Sequence, residues 1–234
     1  MTTGALYLIP VPLGEGDIDW TIPVRVRECA ARLDQYVVEH PKAARRFLKQ
    51  AGTASLQGIS MRILDEHTRP SELEALLEPL LAGHDIGLLS EAGCPAVADP
   101  GASLVRLAHQ KSLRVVPLVG PSSILLALMA SGLNGQRFTF HGYLPTDRGK
   151  RTATIIELEK ASIAHDQTQI FIETPYRNQK VLDCLISTCR NDTVLCISAS
   201  LTLEDEYIAT KTVREWRRTL PDLNKKPAIF LLHG

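Results

Sequence analysis

Four short stretches in the first half of the chain, residues 5–11, 36–38, 86–89 and 114–118, are almost continuously apolar, and helical patterns separate most of them. A strand without polar alternation must be buried on both faces, which a parallel sheet flanked by helices provides. The expectation is therefore an α/β fold. Between these runs, Thr21 is placed to cap a helix that carries Pro23 in its first turn and continues to about residue 33. Residues 42–51 read as a basic amphipathic helix with Ala43, Phe47 and Leu48 inside. Ser71-Glu72-Leu73-Glu74 reads as a capping box opening a helix that Gly83 stops. The second half is less uniform. Strands are expected at 138–142, 169–172, 194–198, 207–211 and 228–232, with helices at 124–130, 152–161 and 177–189 and a capping box at Thr212-Val213-Arg214-Glu215. This half suits a mixed sheet, and a boundary near Gly120 divides the chain into domains at 1–119 and 120–234.

The loops following these strands carry the chemistry. Residues 10–16, 90–101 and 120–123 are rich in Gly, Ala, Pro and Ser, and Glu173-Thr174-Pro175 follows a later strand. In open α/β sheets ligands bind at the carboxyl ends of the strands, and small residues there let a ligand approach the backbone. One such loop is an ordinary tight turn; four at equivalent strand ends point to a cofactor. The glycine patterns of dinucleotide-binding and P-loop proteins are absent.

Composition removes other classes. With 26 basic and 26 acidic residues, no global field draws the chain to nucleic acid or a membrane surface, although local basic patches remain possible. Cys29, Cys94, Cys184, Cys189 and Cys196 are odd in number and contain no CxxC pair, which argues for reduced thiols and against a disulfide framework. His67 and His141 lack partners at metal-ligand spacing, so no metal is expected. No charged n-region precedes the first apolar run, and no apolar run reaches the ~20 residues that span a bilayer. A cytoplasmic protein without a membrane partner is expected.

Four segments, LYLIPVPLGE, LLSEAGCPAVADPGASLVRLA, VVPLVGPSSILLALMASGL and IFIETPYR, occur in this order. Together they resemble the tetrapyrrole-methylase superfamily of S-adenosylmethionine-dependent methyltransferases, most closely its ribosomal RNA small-subunit methyltransferase I branch. The resemblance implies a two-domain fold with the methyl donor in the interdomain cleft, a homodimer, and ribose 2′-O-methylation of ribosomal RNA. It assigns donor binding to Pro12, Leu13, Ala92, Gly93, Cys94, Val97, Ser122, Ser123, Glu173, Thr174, Leu201, Pro227 and Ala228. An adenine ring and a sulfonium call for such apolar walls and backbone hydrogen bonds.

The chain departs from this branch on the substrate side. Where the branch carries Glu-Asp-Thr-Arg, this chain has Glu39-His40-Pro41-Lys42; where it carries Arg-Glu-Leu-Thr, the chain has Ala199-Ser200-Leu201-Thr202. The branch also tends to continue beyond the point corresponding to Gly234. Glu39 is the candidate base for a ribose hydroxyl. His40, Lys42, Arg45, Arg46 and Arg177 are candidate contacts for RNA or a ribosomal subunit, although a solvated helix face explains the basic residues of 42–49 equally well. Three readings remain at this stage: an RNA methyltransferase, a methyltransferase of a tetrapyrrole or other small molecule, and a cofactor-binding protein without catalysis.

Overall fold

A computed structural model describes residues 3–234. It divides into two compact units, Met1–Ser122 and Ser123–Gly234. The first contains β1 (Ala5–Ile9), α1 (Ile18–Thr21), α2 (Val24–Arg32), β2 (Gln35–Val38), α3 (Pro41–Gln50), β3 (Ser60–Ile63), α4 (Leu73–Leu81), β4 (Ile86–Leu89), α5 (Gly101–Gln110) and β5 (Arg114–Pro117). Its five strands are all parallel, in the order β3-β2-β4-β1-β5.

The unbroken apolar runs serve two cores, because successive side chains leave a strand on opposite faces. Ile9, Tyr36, Val38 and Leu89 pack with Ile22, Val26, Phe47 and Leu48 on the α2–α3 face. Leu6, Val37, Ile86 and Leu88 pack with Leu77, Leu80 and Leu104 on the α4–α5 face. Neighbouring strands β1 and β4 therefore send their following helices to opposite sides of the sheet. That divergence leaves a crevice at their carboxyl ends, where an open parallel sheet binds ligands.

The second unit contains α6 (Ser123–Ser131), β6 (Phe138–Tyr143), α7 (Arg148–His165), β7 (Thr168–Glu173), α8 (Asn178–Thr188), β8 (Val194–Ala199), β9 (Tyr207–Thr212), α9 (Val213–Trp216) and β10 (Ala228–His233). Its sheet has the order β6-β7-β10-β8-β9 and is mixed: β6 and β7 are parallel, whereas β10 runs antiparallel to both β7 and β8. Phe171 and Phe230 stack at its centre, 5.7 Å between rings. Trp216 is fully buried and donates its indole N–H to the Leu195 carbonyl at 2.8 Å.

Several helix ends differ from expectation. Thr21 closes α1, which Asp17 caps through the Asp19 N–H, and α2 begins separately after Pro23. Residues 70–72 form a 3-10 turn in which Glu72 accepts the Arg69 N–H at 2.8 Å, so the box expected to start at Ser71 closes two residues earlier. On α3 it is Ala44, not Ala43, that is buried with Phe47 and Leu48. Asp147 caps α7 through the Lys150 N–H, so the helix begins inside the expected connector. Thr212 and Glu215 form the expected reciprocal cap.

Candidate active site

The first loop and the loop after β4 meet through their backbones. Val11 and Gly93 exchange two hydrogen bonds, at 3.0 and 3.1 Å, directly above the crevice between β1 and β4. Gly93 has φ +71°, and a Cβ there would come 3.1 Å from Leu13 Cδ2 and 3.4 Å from the Pro121 carbonyl oxygen. The Cys94 thiol donates to that same carbonyl at 3.3 Å. The third loop approaches just as closely: a Cβ on Gly120 would lie 2.2 Å from Pro10 Cβ. Pro12, Leu13, Gly93, Cys94 and Pro121 thus come from three loops and gather at one sheet end.

The rest of the loop after β4 is held by Asp99. One carboxylate oxygen accepts the Ala96 N–H at 3.0 Å and the Gly101 N–H at 2.7 Å. Between these anchors Ala96 and Ala98 take φ +67° and +55°, a region that costs an L-residue about 1–2 kcal/mol. The strained backbone leaves Ala92 and Val97 exposed. An Asp99→Ala variant is expected to lose about 1–3 kcal/mol in chemical denaturation by stranding these N–H groups, while Asp99→Asn retains most of the stability through its carbonyl oxygen.

Glu39 lies at the carboxyl end of β2, half-buried, and His40 follows at the start of α3. Burial pushes the Glu39 carboxyl above its ordinary range, and the charges of Asp99 and Glu91 push it further. His40 is exposed, 3.7 Å from Glu91. Pro41 occupies the first position of α3, where its missing N–H costs nothing, and His40 makes no side-chain cap. Lys42, Arg45 and Arg46 are exposed along α3, with Arg46 paired to Glu15 in the first loop. A cavity of about 340 Å³ lies between that loop and α3, lined on one side by Leu13, Gly14 and Ser90 and on the other by Ala43, Phe47 and Gln50.

In the second unit, pairing aligns three expected segments in one row. Ala228 of β10 lies opposite Glu173 on one side and Ala199 on the other. Glu173-Thr174, Pro227-Ala228 and the turn containing Leu201 therefore share one end of the sheet. That turn is also strained, with Ser200 at φ +50° and Thr202 at +69°. The Glu173 side chain is fully buried and pairs with Arg177 at 2.9 Å. Arg177 also donates to the Leu144 carbonyl at 3.1 Å, so it is committed to an internal pair. Ser122 ends the first unit, and Ser123 begins α6 in the second. Residue patterns gave no sign of the Asp99 anchor as an acceptor of two N–H groups, or of the Arg46–Glu15 pair.

Comparison with known proteins decides the family. The chain is 30% identical to ribosomal RNA small subunit methyltransferase I of Vibrio cholerae over 233 residues, covering 98% of this chain and 77% of that protein. It is 31% identical to the Escherichia coli O157:H7 protein of the same name over 238 residues, covering 99% and 78%. The chain belongs to the ribosomal RNA small subunit methyltransferase I family. The Mesorhizobium japonicum member is 35% identical over 213 residues, covering 90% of this chain and 68% of that protein. No family model matches. The fold is that of the methyltransferase CobJ, whose crystal structure aligns with a TM-score of 0.64 at 18% identity, over 100% of this chain and 95% of that one. The chain is accordingly a methyltransferase of the S-adenosylmethionine-dependent class. Among the described residues no helix is long and apolar enough to cross a membrane, and no group of three or more His, Cys, Asp or Glu side chains could hold a metal ion.

Proposed function

We propose that this protein methylates a ribose 2′-hydroxyl of small-subunit ribosomal RNA with S-adenosylmethionine as donor. The observation that carries the reading is the Val11–Gly93 pairing: a left-handed glycine at the sheet's crevice, bare of side chain, with Leu13 and the Pro121 carbonyl around it. These apolar and backbone groups fit a nucleoside-bearing sulfonium, which needs walls and hydrogen bonds but no counter-ion. Pro12, Leu13, Ala92, Gly93, Cys94, Val97 and Ser122 of the first unit hold the donor. Ser123, Glu173, Thr174, Leu201, Pro227 and Ala228 of the second contribute as well. Glu173 acts there through the backbone turn it fixes, accepting the Thr174 N–H at 2.7 Å.

When bound, the donor supplies an electrophilic methyl group whose transfer discharges the sulfonium. The ribose oxygen forms a bond to carbon as the sulfur–carbon bond breaks, so the chain's task is alignment in line and removal of the hydroxyl proton. Glu39 accepts that proton. Its raised affinity for protons makes it a stronger base than an ordinary glutamate at neutral pH. Lys42 and Arg45 draw RNA phosphates toward α3. The protein works in the cytoplasm as a homodimer, a state that light scattering of the purified chain tests.

Calorimetric titration of the intact protein with S-adenosylmethionine tests the donor assignment. Saturable binding at one site per chain is expected; the absence of binding contradicts it.

A further inference from the structure

The cavity between the first loop and α3 shares Pro12 and Leu13 with the proposed donor site, but its α3 side has features that donor binding does not use. At about 340 Å³ it falls at the lower end of the ~300–1,000 Å³ typical of small-molecule sites. That is room for a nucleoside. Its lining combines an edge of the largely buried Phe47, the apolar Val11 and Ala43, the Gln50 amide and the Glu91 carboxylate. An apolar lining with a few hydrogen-bonding groups is what a small planar ligand such as a nucleobase needs. Glu91 also raises the proton affinity of Glu39, so one edge of the cavity lies within electrostatic reach of the proposed base.

Among the described residues three charged side chains line the cavity, Glu15, Arg46 and Glu91, and its one cation is already paired. Arg46 and Glu15 both line it and pair with each other, although their side chains are 58% and 80% exposed. An exposed pair is held by about 0–1 kcal/mol, whereas a guanidinium on a phosphate makes a stronger bidentate contact.

We propose that this cavity seats one nucleotide of the RNA, with Arg46 as its phosphate ligand and Glu15 as the carboxylate that the phosphate displaces. The proposal rests on the RNA-methyltransferase reading above. In the free protein Glu15 holds Arg46 in place and repels anions lacking a base to fill the cavity. A nucleotide gains from both parts at once.

Titration of the intact protein with each of the four ribonucleoside 5′-monophosphates, with inorganic phosphate as control, tests the idea. At least one nucleotide is expected to bind more tightly than phosphate. Arg46→Gln weakens it by about five- to tenfold, and Glu15→Gln strengthens it by about threefold by freeing the arginine. A purely structural ion pair would move both variants in one direction, and that result overturns the proposal. Ala43→Trp, which fills the cavity from α3, is expected to remove nucleotide binding and leave affinity for S-adenosylmethionine unchanged. Should it abolish binding of both, the cavity belongs to the donor and the proposal fails. If that variant does not fold, the two surface variants decide alone. No nucleotide binding beside normal donor binding overturns the cavity assignment only; no donor binding overturns the function proposed above.

Discussion

Gly93→Trp is expected to abolish S-adenosylmethionine binding in calorimetry. Three penalties coincide at this position. The left-handed φ of +71° strains any L-residue, by about 1–2 kcal/mol. A Cβ already crowds Leu13 at 3.1 Å, and the indole beyond it must occupy the space that the three loops leave at the crevice. The variant will also be less stable than the unaltered protein, because Gly93 pairs with Val11 through both backbone groups. Gly93→Ala separates the effects. It carries the strain and the Leu13 contact without the bulk, so the fold persists and donor affinity falls by roughly tenfold, about 1.4 kcal/mol. Donor affinity unchanged in folded Gly93→Trp would move the donor site elsewhere.

Glu39→Gln is expected to reduce kcat by about 10²–10⁴-fold while leaving donor affinity unchanged, because only proton removal is lost. The pH dependence gives an independent signature. Burial and the neighbouring charges of Asp99 and Glu91 raise the carboxyl, and the base works only when deprotonated. The rate of the unaltered protein therefore rises with pH through a value above that of an ordinary glutamate, and Glu39→Gln lacks this limb. Stability moves the other way. With the folded value raised above the unfolded one, ionising Glu39 penalises the fold as pH rises through that range, so Glu39→Gln is expected to be slightly more stable at neutral pH. A group that costs stability and is needed for turnover is functional, not structural. Unchanged kcat and pH profile in Glu39→Gln would remove Glu39 from the mechanism.

The parallel sheet was legible because residues 36–38 and 86–89 have no polar face, and the two opposed cores of the first unit use every second residue of them. Helix ends were less legible, since capping is decided by local geometry: Asp17 opens a short helix that Thr21 ends, so α2 starts after Pro23 without a side-chain cap, and Glu72 turns back to Arg69 instead of serving a box from Ser71. The phase of α3 shifted by one residue from Ala43 to Ala44 for a similar reason, both alanines fitting an apolar stripe. At the site, Gly93 and Gly120 signalled close backbone approach through their loop composition. Their partners, Val11 and Pro10, emerged only from strand order. The raised carboxyl of Glu39 depends on Glu91 and Asp99, some fifty and sixty positions away, and no local pattern encodes it. The basic run on α3 gave no hint that Arg46 is held by Glu15 while Lys42 and Arg45 stand exposed. The pairing of Arg177, a candidate substrate contact, with the buried Glu173 depends on the fold, and no local pattern encodes it.

The reaction proposed for this protein is methyl transfer to a ribose hydroxyl of small-subunit ribosomal RNA. Incubation of unmodified small subunits with the purified protein and methyl-labelled S-adenosylmethionine, followed by nuclease digestion, tests it most directly. Label is expected in a 2′-O-methylated nucleotide of the ribosomal RNA, absent with Gly93→Trp and strongly reduced with Glu39→Gln. Label on a base, or no label in RNA from a protein that binds the donor, would contradict it.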